Sequence, residues 1–126
     1  MKLDHDCVRL LLLELEEKLS LNSFFDNSHI KKLKTYEEFG EEQTFYTILK
    51  LIEAKFLIGT SQFYFDEGYE FAITSISYSG HEFLDNIRDN KIWSQTKSSV
   101  SALSGVSLSI IGSVAADLVK KSVGLP

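Results

Sequence analysis

Residues 76–84, Ile76-Ser77-Tyr78-Ser79-Gly80-His81-Glu82-Phe83-Leu84, constrain the fold more than any other stretch of the chain. They read as a strand that ends directly in a helix, with Gly80 at the entry. Upstream, Leu51-Ile52-Glu53-Ala54-Lys55-Phe56-Leu57 closes another helix. The order is therefore helix, hairpin, Gly-started helix. Such a ribbon has to lean on the helix before it, because two strands cannot stand alone in water.

The ribbon itself is aromatic. Phe63 and Phe65 alternate with Gln62 and Tyr64, and Tyr69, Phe71 and Ile73 alternate with Glu70, Ala72 and Thr74. Asp66-Glu67-Gly68 forms the connecting loop, with Gly68 for the left-handed position. A base-stacking platform needs cations nearby, and this loop carries two acids, so the aromatics are expected to serve as core and wing. Ser79-Gly80-His81-Glu82 fits a capping box at the next helix. Phe83, Leu84 and Ile87 give that helix a buried side, Asp85, Arg88 and Asp89 a wet one, and Ile92 and Trp93 close over the core edge.

Two further helices precede the ribbon. Asp4 or Asp6 caps the first, which runs to about Ser20. Val8, Leu11, Leu12, Leu15 and Leu19 form its apolar stripe, and Glu14, Glu16, Glu17 and Lys18 are assigned to water. The second, Glu41 to Phe56, places Phe45, Ile48, Leu49 and Ile52 at helical spacing, with Glu41 and Glu42 at the positive end of its dipole. Its outward face is expected to show Glu42, Gln43, Tyr46, Thr47, Lys50 and Glu53. Between these helices lie the turn formers Asn22, Asp26, Asn27 and Ser28. His29 to Lys34 reads as a short helix or a short extended segment carrying the basic cluster Lys31, Lys32 and Lys34.

Residues 98–116 carry no charge. Read as a helix, they present an apolar stripe of Ala102, Val106, Ile110, Val114 and Leu118 beside a small-residue stripe of Ser101, Gly105, Ser109 and Ser113. Small residues at that spacing let helices approach closely, and the run has the length of a bilayer span. Its many serines make a packing or dimerising helix the expectation, with membrane association the lesser reading.

With 126 residues the chain is expected to form one domain plus a tail. The net charge is −5, and residues 91–126 contribute +3, so the rest is strongly acidic. That balance repels phosphate backbones unless a local basic face offsets it. A single cysteine, Cys7, points to a reducing, cytoplasmic location, and the acidic N-terminal residues do not read as a secretory signal. His5, His29 and His81 fall at no metal-ligand spacing with Cys7 or the carboxylates, and no phosphate-binding or nucleophile-elbow run is present. No cofactor, no metal and no catalytic residue is expected, and the chain is not read as an enzyme.

Ile48-x-x-Leu51-x-x-Ala54-x-Phe56-Leu57 resembles the recognition-helix ending of winged-helix regulators, with Lys55 where those proteins carry Gly. Ile76-Ser77-x-x-Gly80-x-x-x-Leu84 resembles the element that follows their wing. More widely, Met1 to Arg9, Leu51 to Ala54, Gly80 to Asp89 and Trp93 are similar to a bacterial and phage family known as a domain of unknown function. The resemblance implies cytoplasmic proteins carried by phages or prophages and brings no established activity. The expected architecture is α+β: a winged helix-turn-helix with a two-stranded wing over 1–93, then an added C-terminal helix over 94–126. The expected function is a DNA-binding regulator. Its helix 42–55 would present Gln43, Thr44, Tyr46, Thr47 and Lys50 to a groove, and Lys31, Lys32 and Lys34 would hold phosphates. The alternatives are an acidic accessory protein that binds and inhibits a host protein such as a defence nuclease, and an adaptor tethered to a membrane by its C-terminal helix. A homodimer through Ala102, Val106, Ile110, Val114 and Leu118 is the expected assembly.

Overall fold

A computed structural model describes residues 1–126. Six helices and three strands follow in the order α1 (His5–Lys18), β1 (Phe25–Asp26), α2 (Asn27–Ile30), α3 (Lys34–Glu53), β2 (Leu57–Tyr64), β3 (Gly68–Ile76), α4 (Tyr78–Ile87), α5 (Asn90–Ser99) and α6 (Leu108–Ser122). The fold is mixed α+β. The chain divides into two compact units, Met1–His81 and Glu82–Pro126.

The first unit is built on α1 and α3. Asp4 caps α1 by accepting the Cys7 N–H at 3.0 Å. Val8, Leu11, Leu12 and Leu15 are buried, as the periodicity predicts, while Leu19, just past the helix end, is half-buried; Cys7 is buried beside them. Glu14 is a correction: expected in water, it is 8% exposed. Its carboxylate accepts the Lys34 N–H at 2.9 Å, the Thr35 N–H at 2.7 Å and the Thr35 hydroxyl at 2.6 Å. Leu33, the N-cap of α3, offers no side-chain cap. Glu14 thus reaches across from α1 to satisfy the open N–H groups of α3 and to face the positive end of its dipole.

Gly40, at φ 83° and ψ 168°, breaks α3, so the regular helix begins at Glu41 as expected. Its buried face is rotated from the predicted one. Thr44, Thr47, Ile48 and Leu51 are buried, while Phe45, Leu49 and Ile52 are half-buried. The hydroxyls make this possible: Thr44 donates to the Thr35 carbonyl at 3.4 Å and Thr47 to the Gln43 carbonyl at 2.8 Å. A buried hydroxyl satisfied within the helix competes well with an apolar side chain for a core position.

The sheet has three antiparallel strands in the order β1-β3-β2, where a two-stranded ribbon was expected. The short β1 pairs Phe25 with Ile73 and Asp26 with Ala72. Asn27 extends this edge with its side chain, donating to the Tyr69 carbonyl at 2.9 Å and accepting the Phe71 N–H at 2.8 Å. β2 and β3 pair from Leu57↔Ile76 to Tyr64↔Gly68, with a bulge at Ile58/Gly59. Gly68 has φ 81°, the left-handed turn position predicted for it. Phe71, Ile73 and Ile76 enter the core, but Phe63 (58% exposed) and Phe65 (97% exposed) stand in solvent at the far end of the ribbon.

The junction between α3, β3 and α4 is close. Lys55 ends α3 in the left-handed conformation, φ 64°, at the position where Gly is usual. The Lys55 carbonyl accepts the Ser77 hydroxyl at 2.6 Å, and the Phe56 carbonyl accepts the Ser77 N–H at 2.9 Å. Ser77, not Ser79, caps α4: its hydroxyl accepts the Gly80 N–H at 3.0 Å. A Cβ on Gly80 would lie 2.2 Å from the Phe56 carbonyl oxygen. Glycine is therefore required for close approach, and α4 leaves the ribbon where the sequence places it.

In the second unit Phe83, Leu84, Ile87, Ile92, Trp93, Ile111 and Ala115 are buried. Asp89 caps α5 through the Ile92 N–H at 2.9 Å, and Ser107 caps α6 through the Ile110 N–H at 3.2 Å. The uncharged run is not one helix: α5 ends at Ser99 and α6 begins at Leu108. Gly112 packs on Phe83, where a Cβ would meet the ring at 3.3 Å. No helix is long and apolar enough to cross a membrane.

Both ends of α3 can be probed by substitution. Glu14→Ala strips the cap from buried N–H groups and is expected to cost about 3 kcal/mol, read as a lowered urea midpoint, with Glu14→Gln losing less. Gly80→Ala is expected to cost about 3 kcal/mol through the clash at Phe56, whereas Lys55→Gly raises stability by about 0.5–1 kcal/mol by relieving the left-handed strain. Thermal and urea unfolding of the Gly80 and Lys55 variants check the opposite signs.

Candidate functional site

The residues proposed for nucleic-acid contact do not share one surface. Thr44 and Thr47 are buried. Gln43 and Tyr46 are engaged by the first residues of the chain, Gln43 Nε2 donating to the Lys2 carbonyl at 3.3 Å and the Tyr46 hydroxyl to the Met1 carbonyl at 3.5 Å. Lys50 pairs with Glu53 at 3.0 Å and lies 5.3 Å from the Tyr46 ring centre. The Glu53 hydrogen bond, followed by its charge, raises the Lys50 pKa. Lys31, Lys32 and Lys34 are exposed, the first two on the segment joining α2 to α3 and Lys34 at the start of α3.

The outer side of α3 carries a groove instead. It has a volume of about 410 Å³ and lies between the first turns of the regular helix and the base of the β2–β3 loop. Phe45, Tyr46, Leu49 and Tyr69 give it an apolar and aromatic lining together with Met1, and Glu41, Glu42 and Glu67 give it three carboxylates. Its aromatics belong to a longer chain of rings. Tyr36 meets Phe45 at 6.1 Å between centroids, Phe45 meets Phe71 at 5.0 Å, Phe71 meets Tyr69 at 5.9 Å, and Tyr69 meets Phe63 at 5.0 Å. Edge-to-face and offset contacts of this kind fix ring positions and stiffen the surface. Sequence reasoning missed the groove because it assigned Phe45 and Leu49 to the core. The signal was the pair of threonines, which left room for the helix to turn its larger side chains outward.

The residues proposed for dimerisation also separate. Ile110, Val114 and Leu118 lie on α6, with Ile110 50% exposed, while Ala102 and Val106 fall in the segment between α5 and α6. The buried stripe of α6 is Ile111 and Ala115.

Two of the histidines have described partners. His29 Nδ1 accepts the Asp26 N–H at 3.2 Å, completing a capping box on α2, and its ring stacks on Phe25 at 5.1 Å. His81 Nδ1 lies 3.8 Å from a Glu16 carboxylate oxygen. No group of three or more His, Cys, Asp or Glu side chains is placed to hold a metal ion. Cys7 is fully buried, with Thr47 Oγ1 3.3 Å from its sulfur. Burial pushes its thiol from 9.0 up to about 11; Thr47 opposes the shift, and Asp4 and Glu38 add to it. A raised folded-state pKa means the neutral thiol contributes stability in full below about pH 9, and that this is lost as pH rises toward about 11. Cys7 is therefore expected to resist aromatic disulfide reagents at pH 8 until urea unfolds the chain. Stability is expected to fall between pH 9 and 11 by a component that Cys7→Ala lacks; thiol labelling and urea titrations across that range check both.

Comparison with known proteins places the sequence in a family described only as hypothetical. No curated protein and no solved structure matches the chain. The family model described as hypothetical protein DUF2513 matches residues 2–107, which takes in α1 through α5 and stops before α6. The chain therefore belongs to the DUF2513 family.

Proposed function

We propose that this chain is a winged-helix recognition module that binds a protein partner through the outer side of α3 and the β2–β3 ribbon. The order α1-β1-α2-α3-β2-β3, with a third strand at the sheet edge and the ribbon following the longest helix, supports the winged-helix reading. The groove lined by Phe45, Leu49 and Tyr69 together with Glu41, Glu42 and Glu67 is the single observation that favours protein over DNA. A DNA-reading helix presents hydrogen-bonding and cationic side chains to base edges and phosphates. This one presents carboxylates and aromatic rings at the same place, and its Lys50 is held by Glu53. Phosphates would be repelled where they would have to approach. An acidic surface can instead occupy a basic, nucleic-acid-handling surface of another protein. The mobile-element origin implied by the family resemblance fits an accessory factor acting on a host protein.

The DNA-binding regulator is the competing reading, resting on exposed Lys31, Lys32 and Lys34. Fluorescence anisotropy with random-sequence duplex DNA at low salt separates the two. The expected result is no salt-dependent binding, together with capture of a host protein that Glu41→Lys/Glu42→Lys abolishes and Lys31→Ala/Lys32→Ala/Lys34→Ala leaves intact. Salt-dependent DNA affinity removed by the triple lysine variant would overturn the proposal.

A further inference from the structure

The groove on α3 also carries information about what its partner must look like. Its three carboxylates come from two elements, Glu41 and Glu42 at the start of the regular helix and Glu67 in the ribbon loop, and all three side chains are exposed. None of the chain's described ion pairs uses them. No lysine or arginine lines the groove; Met1, which carries the α-amino group, is the one lining residue with a cation to set against the three carboxylates. Phe45, Leu49 and Tyr69 bring apolar surface to the same space. The core takes Thr44 and Thr47 while Phe45 and Leu49 remain half-buried on this side, so large apolar side chains stay available to a partner.

From this charge and shape we infer that the groove receives a peptide segment of another protein in which a bulky apolar side chain is flanked by arginine or lysine. A volume of about 410 Å³ suits one or two side chains rather than a whole helix face. An arginine or lysine stem lies along apolar surface while its charged head reaches a carboxylate, so one side chain satisfies both halves of the lining. The inference rests on the protein-binding reading above and specifies the partner's chemistry at that site.

The test uses the full chain and fluorescently labelled synthetic peptides of one length. One mixture has the pattern basic-apolar-apolar-basic, degenerate for Lys/Arg and for Leu/Phe/Met. A second replaces the basic positions with Glu, and a third with Ser. Anisotropy is expected to show binding of the basic mixture, at least tenfold weaker binding of the Ser mixture and none of the Glu mixture. Amide shifts are expected to concentrate at residues 41–49 and 67–69. Glu41→Lys/Glu42→Lys should weaken the basic mixture at least tenfold, and Leu49→Ser should weaken both the basic and Ser mixtures. These side chains are exposed or half-exposed, and unfolding midpoints within a few degrees of wild type confirm that the variants fold. Binding that ignores peptide charge, or shifts that fall elsewhere, would overturn the assignment. So would sedimentation showing a dimer of the chain that Glu41→Lys/Glu42→Lys dissociates, because the occupant would then be a second copy. If host-protein capture depends on Glu41 and Glu42 but no peptide mixture binds, the protein-binding reading stands and the basic, apolar character assigned to the partner is wrong. If capture also fails, both fall.

Discussion

The Phe56 carbonyl is the point on which the first unit turns. It accepts the Ser77 N–H at 2.9 Å and sits where any side chain on Gly80 would collide with it. One atom thereby ties the end of α3, the end of β3 and the start of α4. Ser77 adds a second tie, its hydroxyl donating to the Lys55 carbonyl and accepting from Gly80. Carbonyls at a helix C-terminus have no partner within the helix and must find one elsewhere. Here they find it in the residue that caps the next helix, so one requirement is met at both helix ends. The direction of the ribbon is set by this junction, and the far end of the ribbon in turn supplies Glu67 and Tyr69 to the groove.

Glu14 plays the corresponding part at the other end of α3. A carboxylate taken out of water is costly unless its oxygens are fully hydrogen-bonded. Three donors from Lys34 and Thr35 meet that condition, and the helix dipole adds to it. The arrangement anchors the first turn of α3 to α1; beyond the break at Gly40 the regular helix turns Thr44 and Thr47 inward and leaves Phe45 and Leu49 half-buried.

The same two junctions explain what could and could not be read from the sequence. The α1 stripe, the left-handed Gly68 and the direct passage from β3 to α4 were legible because each leaves a local pattern in the sequence: a helical period, a glycine in a short loop, and a strand running straight into Ser77 and Gly80. Glu14 was not, because its partners lie twenty or more residues away, and an isolated glutamate between leucines looks the same whether it caps a distant helix or faces solvent. The two-residue β1 has no period to detect, and its edge is completed by the Asn27 side chain. The break between α5 and α6 was hidden for the opposite reason: serine and glycine at regular spacing imitate a helix stripe, although Ser107 is the cap of a new helix. The groove was lost with the helix rotation, since periodicity alone cannot place a threonine above a phenylalanine in the core.

An element order compatible with a DNA-reading fold does not carry DNA reading with it, because function resides in the side chains placed on the scaffold. On the outer side of α3 those side chains are Glu41, Glu42, Phe45, Tyr46 and Leu49, and the first residues of the chain already hold Gln43 and Tyr46. Withdrawing Met1 and Lys2 would release two polar side chains but would leave the carboxylates and the ring chain in place. Withdrawal would also take the α-amino group of Met1 out of the groove lining, which makes the surface more acidic, not less. A phosphate backbone would have to approach against that charge, whereas the basic segment proposed as partner would approach with it and would find the half-buried rings beside it.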